Sequence, residues 1–470
     1  MGHPSLNDVT PKPFWLDNRG APAACEPLSS DTRCDLAVVG GGYTGLWTAL
    51  LAKEANPDRD VVLLEGRTVG WAASGRNGGF AAASLTHGTE NGMARYPDEM
   101  PAIERMGREN LDAIEAAVAR YGIDCDWRRT GALEVATEPH QIQWMRQDAE
   151  EAAALGEDAV FLDQDAVRAE LNSPRFLAGS WHRNDTAIVD PARLVWGLKQ
   201  ACLELGVRIH ENTWVSWIGR ERTGLEVSTG PWFGRWGAGP TVHAEKVAMG
   251  TNVFPSPLRR TRRFVIPVYD YALMTEPLTA AQLDSIGWQN RQGVGDPGYQ
   301  FHYYRLTADN RILWGGYDAI YHWRNGLDES LDQRPETFEK LAGQFFDTFP
   351  QLEGLRFTHQ WGGAIDTCSR FFAFQRLAKR GRLAYSIGYT GLGVAAARFG
   401  GQVMLDLLDG QDTERTSLSM VRRRPLPFPP EPVRYAGIQV TKRAMAKADV
   451  KGKEGPWLKL LDRFGLGFDS

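Results

Sequence analysis

Cysteine is scarce in this chain, with five thiols in 470 residues at Cys25, Cys34, Cys125, Cys202 and Cys368. They are scattered, odd in number and nowhere spaced C-x-x-C. That removes a disulfide frame and a zinc site, and it suits a reducing compartment. Long apolar runs are missing as well. No stretch approaches the roughly eighteen residues that a membrane helix needs. Residues 1 to about 30, with Pro4, Pro11 and Pro13, lack the charged-then-apolar pattern of a signal segment and read as an irregular surface arm. There is no excess of positive charge, the formal net charge being -5, which argues against a nucleic-acid partner. The local run Arg259, Arg260, Arg262, Arg263 has no interleaved stacking aromatics and reads as a solvated loop. No repeats occur, and no low-complexity tract is longer than the proline-rich stretch near 425–433. A Ser/His/Asp elbow, H-E-x-x-H and a P-loop are absent too, so hydrolytic, metal and kinase chemistry lack their parts and no metal ligands are expected. The expectation is a soluble, cytoplasmic protein, too long for a single core.

What the chain does have is CDLAVVGGGYTGLWTALLA followed by DVVLLEGR. Asp35 to Val39 is an apolar strand that runs into Gly40, Gly42 and Gly45 at G-x-G-x-x-G spacing, and the apolar helix Leu46 to Ala52 follows. Gly40 makes the tight turn, Gly42 lets the backbone approach a pyrophosphate, and Gly45 lets helix and strand pack closely. Phosphates at the helix N-terminus meet unpaired N–H groups and the positive end of the dipole. A second strand, Val61 to Leu64, ends at Glu65, whose carboxylate can accept both ribose hydroxyls of an adenosine. The three glycines alone are a weak signal. Strand, glycines, helix, second strand and terminal Glu in this order are a strong one.

The rest of the chain divides by pattern. AASGRNGGF (72–80) is built of small residues that can lie against something flat. Helical spacing recurs over 102–119 and 141–154, with a strand over 131–137 between them. Asp190 is a natural N-cap with Pro191 at the first helical position of DPARLVWGLKQACLELG. RIHENTWVSWI follows as a strand, and KVAMGTN (246–252) again ends a strand in small or polar residues. VIPVYDYALMTEPL and FHYYRLTADNRILWGGYD alternate and carry turn signals, as antiparallel strands do. RLAYSIGYTGLGVAAARFGGQVMLDLLDG (382–410) is a strand, a glycine-rich turn and a helix closing at Gly410. After residue 411 come a proline strap, a helix over IQVTKRAMAKA and a docking helix at WLKLLDRFGLGFDS.

In combination, VVGGGYTGLWTA, the Glu65 strand end, ASGRNGG, DPARL, VAMGTN, YRLTADNRILWGG, WGGAIDT and GYTGLGV carry a resemblance over residues 12 to 412. The chain resembles the flavin-dependent amine and amino-acid oxidoreductases of the D-amino-acid oxidase/glycine oxidase superfamily, and within it the γ-glutamylputrescine oxidase-like branch. The resemblance implies an α/β plus antiparallel β fold. A Rossmann-like FAD-binding domain of the glutathione-reductase type (ββα) spans 31–85, 186–265 and 355–410. Inserted in it is a substrate domain on a mostly antiparallel sheet, 86–185 and 266–354. Residues 1–30 are then an N-terminal arm and 411–470 a C-terminal appendage.

The cofactor implied is FAD, held without a covalent bond. The residues that match its binding motifs are Gly40, Gly42, Tyr43, Thr44 and Gly45, then Glu65, Gly66 and Arg67, then Ala73, Ser74, Asn77, Gly78 and Gly79. Val215 would meet the adenine, Gly250 and Thr251 close a strand end, and Gly391, Leu392, Gly393 and Val394 face the pyrimidine end of the flavin. Two departures stand out. Cys368 lies in IDTCSRFFAF, which is not the flavin-attachment motif of sarcosine oxidases, and RILWGG lacks the lysine those enzymes place over the flavin.

The chemistry implied is hydride transfer to flavin N5 from the carbon beside a neutral amine, with the imine then hydrolysed and O2 reduced to H2O2. An alternative passes electrons to a quinone or carrier, and a non-catalytic FAD is the reading from another class. Candidate substrates are a γ-glutamylated polyamine, a primary amine or an N-methylated amino acid. Tyr303, Tyr304 and Arg305 on one strand, Trp314 on the next, and Trp361, Asp366 and Arg370 near the C-terminal return are the candidate substrate-facing residues. An arginine would suit a carboxylate, and Asp366 a second ammonium. His302 and His359 read as structural, and the oligomeric state stays open.

Overall fold

Residues 2–17, 20–154, 156–230 and 239–466 are described by the structure, a computed structural model. Along the chain, the elements that position the site are β1 (Thr32–Val39), α1 (Tyr43–Ala55), β2 (Val61–Leu64), α2 (Pro191–Glu204), β3 (Arg208–His210) and β4 (Thr241–Met249). They continue with β5 (Val265–Thr275), β6 (His302–Leu306), β7 (Ile312–Gly316), β8 (Phe357–Cys368), β9 (Leu383–Ile387), α3 (Gly393–Asp409), α4 (Val433–Lys451) and α5 (Pro456–Arg463).

The runs LAVV and VVLL are apolar without alternation because both their faces are buried, as parallel strands require. They lie side by side in a parallel sheet ordered β9-β4-β1-β2-β3. One edge of β4 serves two partners. Its first half pairs antiparallel with the strand Leu225–Thr229 and its end pairs parallel with β9. α1 is buried almost all round because it lies between this sheet and the helices α2 and α3. Asp190 caps α2, accepting from the Arg193 N–H at 3.0 Å, and α3 ends on Gly410 in the left-handed region.

The stretch 208–218 is two elements, not one strand. β3 stops at His210, and a second strand, Val215–Arg220, turns away to pair antiparallel with Leu225–Thr229. The break occurs because Glu211 turns inward to Lys199 at 2.6 Å, both side chains being buried. Glu211 also accepts from the N–H groups of Cys25 and Val69, so the N-terminal arm is tied to this ion pair. The arm is also less superficial than its composition suggests, since Trp15 is buried beneath Arg305.

The second sheet alternates, and is antiparallel except where Gly293–Gly295 meets Ala132–Ala136. β5, β7 and β6 are consecutive neighbours, and β8 pairs along the length of β5, from Val265 opposite Cys368 to Thr275 opposite Phe357. Residues 357–368 therefore run in this second sheet, whereas the sequence reading placed 355–410 as a block with the nucleotide unit. A twelve-residue strand finds its partner by register with β5, ninety residues earlier, and local pattern carries no trace of that. The β5/β8 ribbon joins the sheets, because its Val265/Cys368 end is packed in the core beneath the first one.

The C-terminal appendage closes over the second sheet. Ser369 and the Phe428 N–H tie the proline strap to the body. Asp449 of α4 accepts from the N–H groups of Tyr299 and Gln300 at 2.9 and 3.0 Å. Among the described residues no helix is long and apolar enough to cross a membrane.

Candidate active site

A cavity of about 1010 Å³ lies between the two sheets. One wall is the carboxyl end of the parallel sheet, where α/β folds bind ligands: the β1–α1 turn, Glu65 at the end of β2, Gly250 and Thr251 after β4, and the turn from β9 into α3. The facing wall comes from β5, β6 and β8, and α4 and α5 contribute to the rim.

The nucleotide wall is shaped by missing side chains. Gly40 has φ +110, and a Cβ on it would stand 2.4 Å from the Gly250 carbonyl oxygen. A Cβ on Gly45 would lie 1.8 Å from the Gly40 oxygen, so the helix rests directly on the turn. Neither α1 nor α3 has a side-chain cap, which leaves the positive ends of both dipoles to the cavity. Ser74 accepts from the Tyr43 N–H at 3.0 Å, and Asn77 braces its loop by donating to the Ala73 and Ser74 carbonyls and accepting from the Gly79 N–H. Glu65 accepts from the Gly41 N–H, the Arg67 N–H and the Trp71 indole at 2.6, 2.8 and 2.9 Å. Burial pushes its carboxyl pKa up, and those donors oppose the rise. Thr251 Oγ1 is buried without a partner among the described residues. A buried hydroxyl without a partner, two uncapped helix ends and a carboxylate at the second strand end suit the phosphates and ribose of a dinucleotide.

Most residues matched to the cofactor motifs line this cavity: Gly40, Gly42, Tyr43, Thr44, Glu65, Gly66, Ala73, Ser74, Asn77, Gly78, Val215, Gly250, Thr251, Gly391, Leu392, Gly393 and Val394. Gly45, Gly79 and Arg67 do not. Gly45 and Gly79 lie behind the wall, a Cβ on Gly79 falling 2.1 Å from the Val189 oxygen. Arg67 points outward, over the Trp71 ring at 4.4 Å and paired to Glu329. Cys368 is fully buried beside Gly388, its thiol donating to the Phe372 carbonyl at 3.1 Å.

The substrate-side expectations divide. Trp361 lines the cavity and is fixed by its indole N–H on the Arg76 carbonyl at 2.9 Å. Tyr303 does too, donating to Asp270 Oδ2 at 2.6 Å. Tyr304 is a correction. Side chains alternate along a strand, so it faces the other way, against Trp314 at 4.6 Å between ring centroids in an aromatic core. Trp314 belongs to that core as well. Arg305 is corrected too. It is buried outside the cavity lining, donating to the Val189 and Leu306 carbonyls. Arg370 clamps the strap, donating to the carbonyls of Ala373, Met420 and Arg423 at 2.6, 2.8 and 3.2 Å, so it cannot serve as a substrate clamp. Asp366 reaches the cavity wall, but its carboxylate accepts from the N–H groups of Gly388 and Tyr389 at 2.6 and 3.2 Å. It holds the turn before α3, and burial raises its pKa to about 7. His302 is held by Asp296 at 2.7 Å and Gln344 at 3.1 Å. His359 sits beside Thr358 and Asp17.

Asp270 is the residue that the sequence reading missed. It is the one acid in an apolar strand, in phase with the cavity-lining Ile266, Val268 and Ala272, and that phase was the available signal. Burial raises its carboxyl pKa to about 6, with the Tyr303 hydroxyl opposing the rise. Tyr271, Tyr299 and Tyr317 add aromatic surface to the same wall.

A glycine-built dinucleotide cradle facing an aromatic sheet across one cavity defines a flavoprotein oxidoreductase. Residues 35–407 match the DAO family, FAD dependent oxidoreductase, and the chain belongs to that family. It is similar to the gamma-glutamylputrescine oxidoreductase of Escherichia coli K12, at 33% identity over 397 residues, covering 84% of this chain and 87% of that protein. It is also similar to the probable oxidoreductase OrdL of Haemophilus influenzae, at 28% identity over 417 residues, covering 86% and 89%. Among solved structures, the glycine oxidase of Geobacillus kaustophilus shares the fold with a TM-score of 0.67 at 20% identity, covering 83% of this chain and 99% of that one. The cofactor is FAD.

Proposed function

We propose that the protein oxidises the CH–NH bond of a small amine to an imine, which water hydrolyses, with O2 as acceptor and H2O2 as product. The observation that carries this reading is the Asp270–Tyr303 pair on the aromatic wall of the cavity that the dinucleotide cradle closes on its other side. When bound, the flavin supplies the electron sink for a hydride.

Asp270, ionised above about pH 6, pairs with the substrate's ammonium and takes up the proton that must leave before reaction. Tyr303 fixes the carboxylate by its hydroxyl, and Trp361, itself pinned to Arg76, keeps water from that end. Amines suit the site better than N-methylated amino acids, because the guanidinium groups described on the wall are already held by carboxylates, Arg76 by Asp332 and Arg434 by Glu431. A primary amine or a γ-glutamylated polyamine is therefore the favoured substrate, and the similarity to gamma-glutamylputrescine oxidoreductase supports the second. The division of labour behind this reading assigns 31–85, 186–265 and the return after Cys368 to the cofactor, and 86–185 and 266–368 to the substrate. All five cysteines are free thiols, which supports a cytoplasmic site of action.

The test is an anaerobic titration of the FAD-loaded protein with a panel of amines and amino acids, following the flavin absorbance. Bleaching by amines, with peroxide formed on readmitting air, is the expected result. A flavin that α-amino acids bleach, while amines and ω-aminocarboxylates leave it untouched, would overturn the assignment of Asp270, and reoxidation by a quinone but not by air would replace the oxidase with a dehydrogenase.

A further inference from the structure

Opposite the nucleotide cradle, three cations gather at one buried carboxylate of the cavity wall. Asp318, in the loop after β7, is 4% exposed and accepts from Thr337 at 2.9 Å. Three cations converge on that one carboxylate: Arg334 at 3.2 Å, Lys340 at 3.1 Å and Lys442 of α4 at 3.7 Å. Glu336 takes a second arm of Arg334 but is 64% exposed, so solvent screens it. Lys340 also lies 5.2 Å from the centroid of Tyr317, and Tyr317, Asp318 and Lys442 all line the cavity.

Lys442 is not needed to fasten its helix. α4 is already held by Asp449 on the backbone of Tyr299 and Gln300, and the turn before it by Glu431 on Tyr321 and Arg434. Its contact with Asp318 is the longest of the four. A half-buried ammonium that faces a cavity and shares its carboxylate with two other cations is best neutralised by an anion from the cavity itself. Asp270 lines the same cavity as Asp318, so the two groups share one compartment.

We propose that Lys442, backed by Lys340 and Arg334, binds a carboxylate at the far end of the amine substrate. The substrate is thus an amine with an anionic tail, its ammonium on Asp270 and its tail under α4. This rests on the amine reading above, and it makes the C-terminal helix a specificity element.

The test compares kcat/KM, with the FAD-loaded protein, for three series of matched length: n-alkylamines, ω-aminocarboxylates and α,ω-diamines. At the best length the aminocarboxylate should exceed the alkylamine by about tenfold, which corresponds to about 1.4 kcal/mol from one charge-assisted contact. Lys442→Gln should bring that ratio close to one, Lys442→Arg should keep most of it, and Lys442→Glu should turn the preference toward the diamine. Lys340→Gln, at a more exposed position on the same carboxylate, should lower the ratio in part and covers the case in which Lys442 variants fail to fold. A wild-type ratio near one, or a ratio unchanged in Lys442→Gln, would overturn this inference while leaving the amine reading intact. If no member of any series bleaches the flavin, the amine reading and this inference fall together.

Discussion

The three glycines of the first turn do different jobs, and alanine should separate them. At Gly45 the added methyl would lie 1.8 Å from the Gly40 carbonyl oxygen and 3.2 Å from Val38 Cγ1. That oxygen cannot yield, because the Gly41 N–H of the same peptide is bonded to Glu65 at 2.6 Å. Ordinary contact begins near 3.4 Å, so α1 would have to retreat by about 1.6 Å. Its outer face has no room for this, since Leu46, Trp47, Ala49 and Leu50 are packed with α2 and α3 in the same core. Overpacking of this kind costs about 3 kcal/mol, and alanine regains about 1 kcal/mol in helix propensity. The expected net loss is about 2 kcal/mol, a fall of a few degrees in Tm. At Gly42 the methyl would meet Ser74 Oγ at 2.8 Å, an atom that can rotate away at the cost of the bond it accepts from the Tyr43 N–H, and the backbone there has φ -87, which alanine adopts freely. Gly42→Ala should therefore fold with a loss under about 1 kcal/mol, yet release FAD, because its methyl stands on the cavity wall. The assay is the melting of both apoproteins together with FAD content by absorbance after gel filtration. A Gly42→Ala protein that keeps its full FAD, or a Gly45→Ala protein as stable as wild type, would refute this assignment of roles.

Other residues give equally direct tests. Asp366 titrates near pH 7 when folded but near 3.9 when unfolded, so its contribution to stability is present at low pH and is lost as pH rises through 7. The stability of wild type relative to Asp366→Asn should thus fall by up to about 3 kcal/mol between pH 5 and pH 8, and a flat difference in urea unfolding would contradict it. Arg370→Met removes the clamp on four carbonyls and should cost about 3 kcal/mol, with faster proteolysis in 423–431. A large loss of turnover with unchanged melting would instead return Arg370 to the substrate. Asp270→Asn should raise KM for amines about tenfold and abolish the acid limb near pH 6 in kcat/KM, and persistence of that limb would assign it to another group.

How far the molecule could be read from its residues depended on the range of the interaction. The turn of Gly40, Gly42 and Gly45, the Asp190 cap and the Gly410 stop are local, and each was legible because a few neighbouring residues decide backbone conformation. The substrate wall was not. Tyr303, Tyr304 and Arg305 are adjacent and chemically plausible, but only Tyr303 lines the cavity, and the choice is made by the pairing of β6 with β7. Arg370 looked like a ligand clamp because its carbonyl partners lie up to fifty-three residues away, in a strap with no periodic pattern. Lys442 lay in a helix whose polar face gives no hint of Asp318. Asp270 alone among the missed residues had a local signal, a single acid on the in-phase face of an apolar strand.

The shared edge of β4 has a consequence for how the chain comes into being. During synthesis β1, α1 and β2 emerge first, but β9 and α3, which complete the sheet edge and cover α1, emerge more than 320 residues after α1. Throughout that interval the nascent nucleotide unit exposes the apolar flank of α1 and an unpaired length of β4. Long-range pairing of this kind slows folding and exposes sticky surface. The intervening sheet, with its own aromatic core, is the part able to fold while the first unit waits. A ribosome that stalls before residue 383 would therefore release an aggregation-prone chain, and FAD can be captured only once the last fifth of the polypeptide has returned to the beginning.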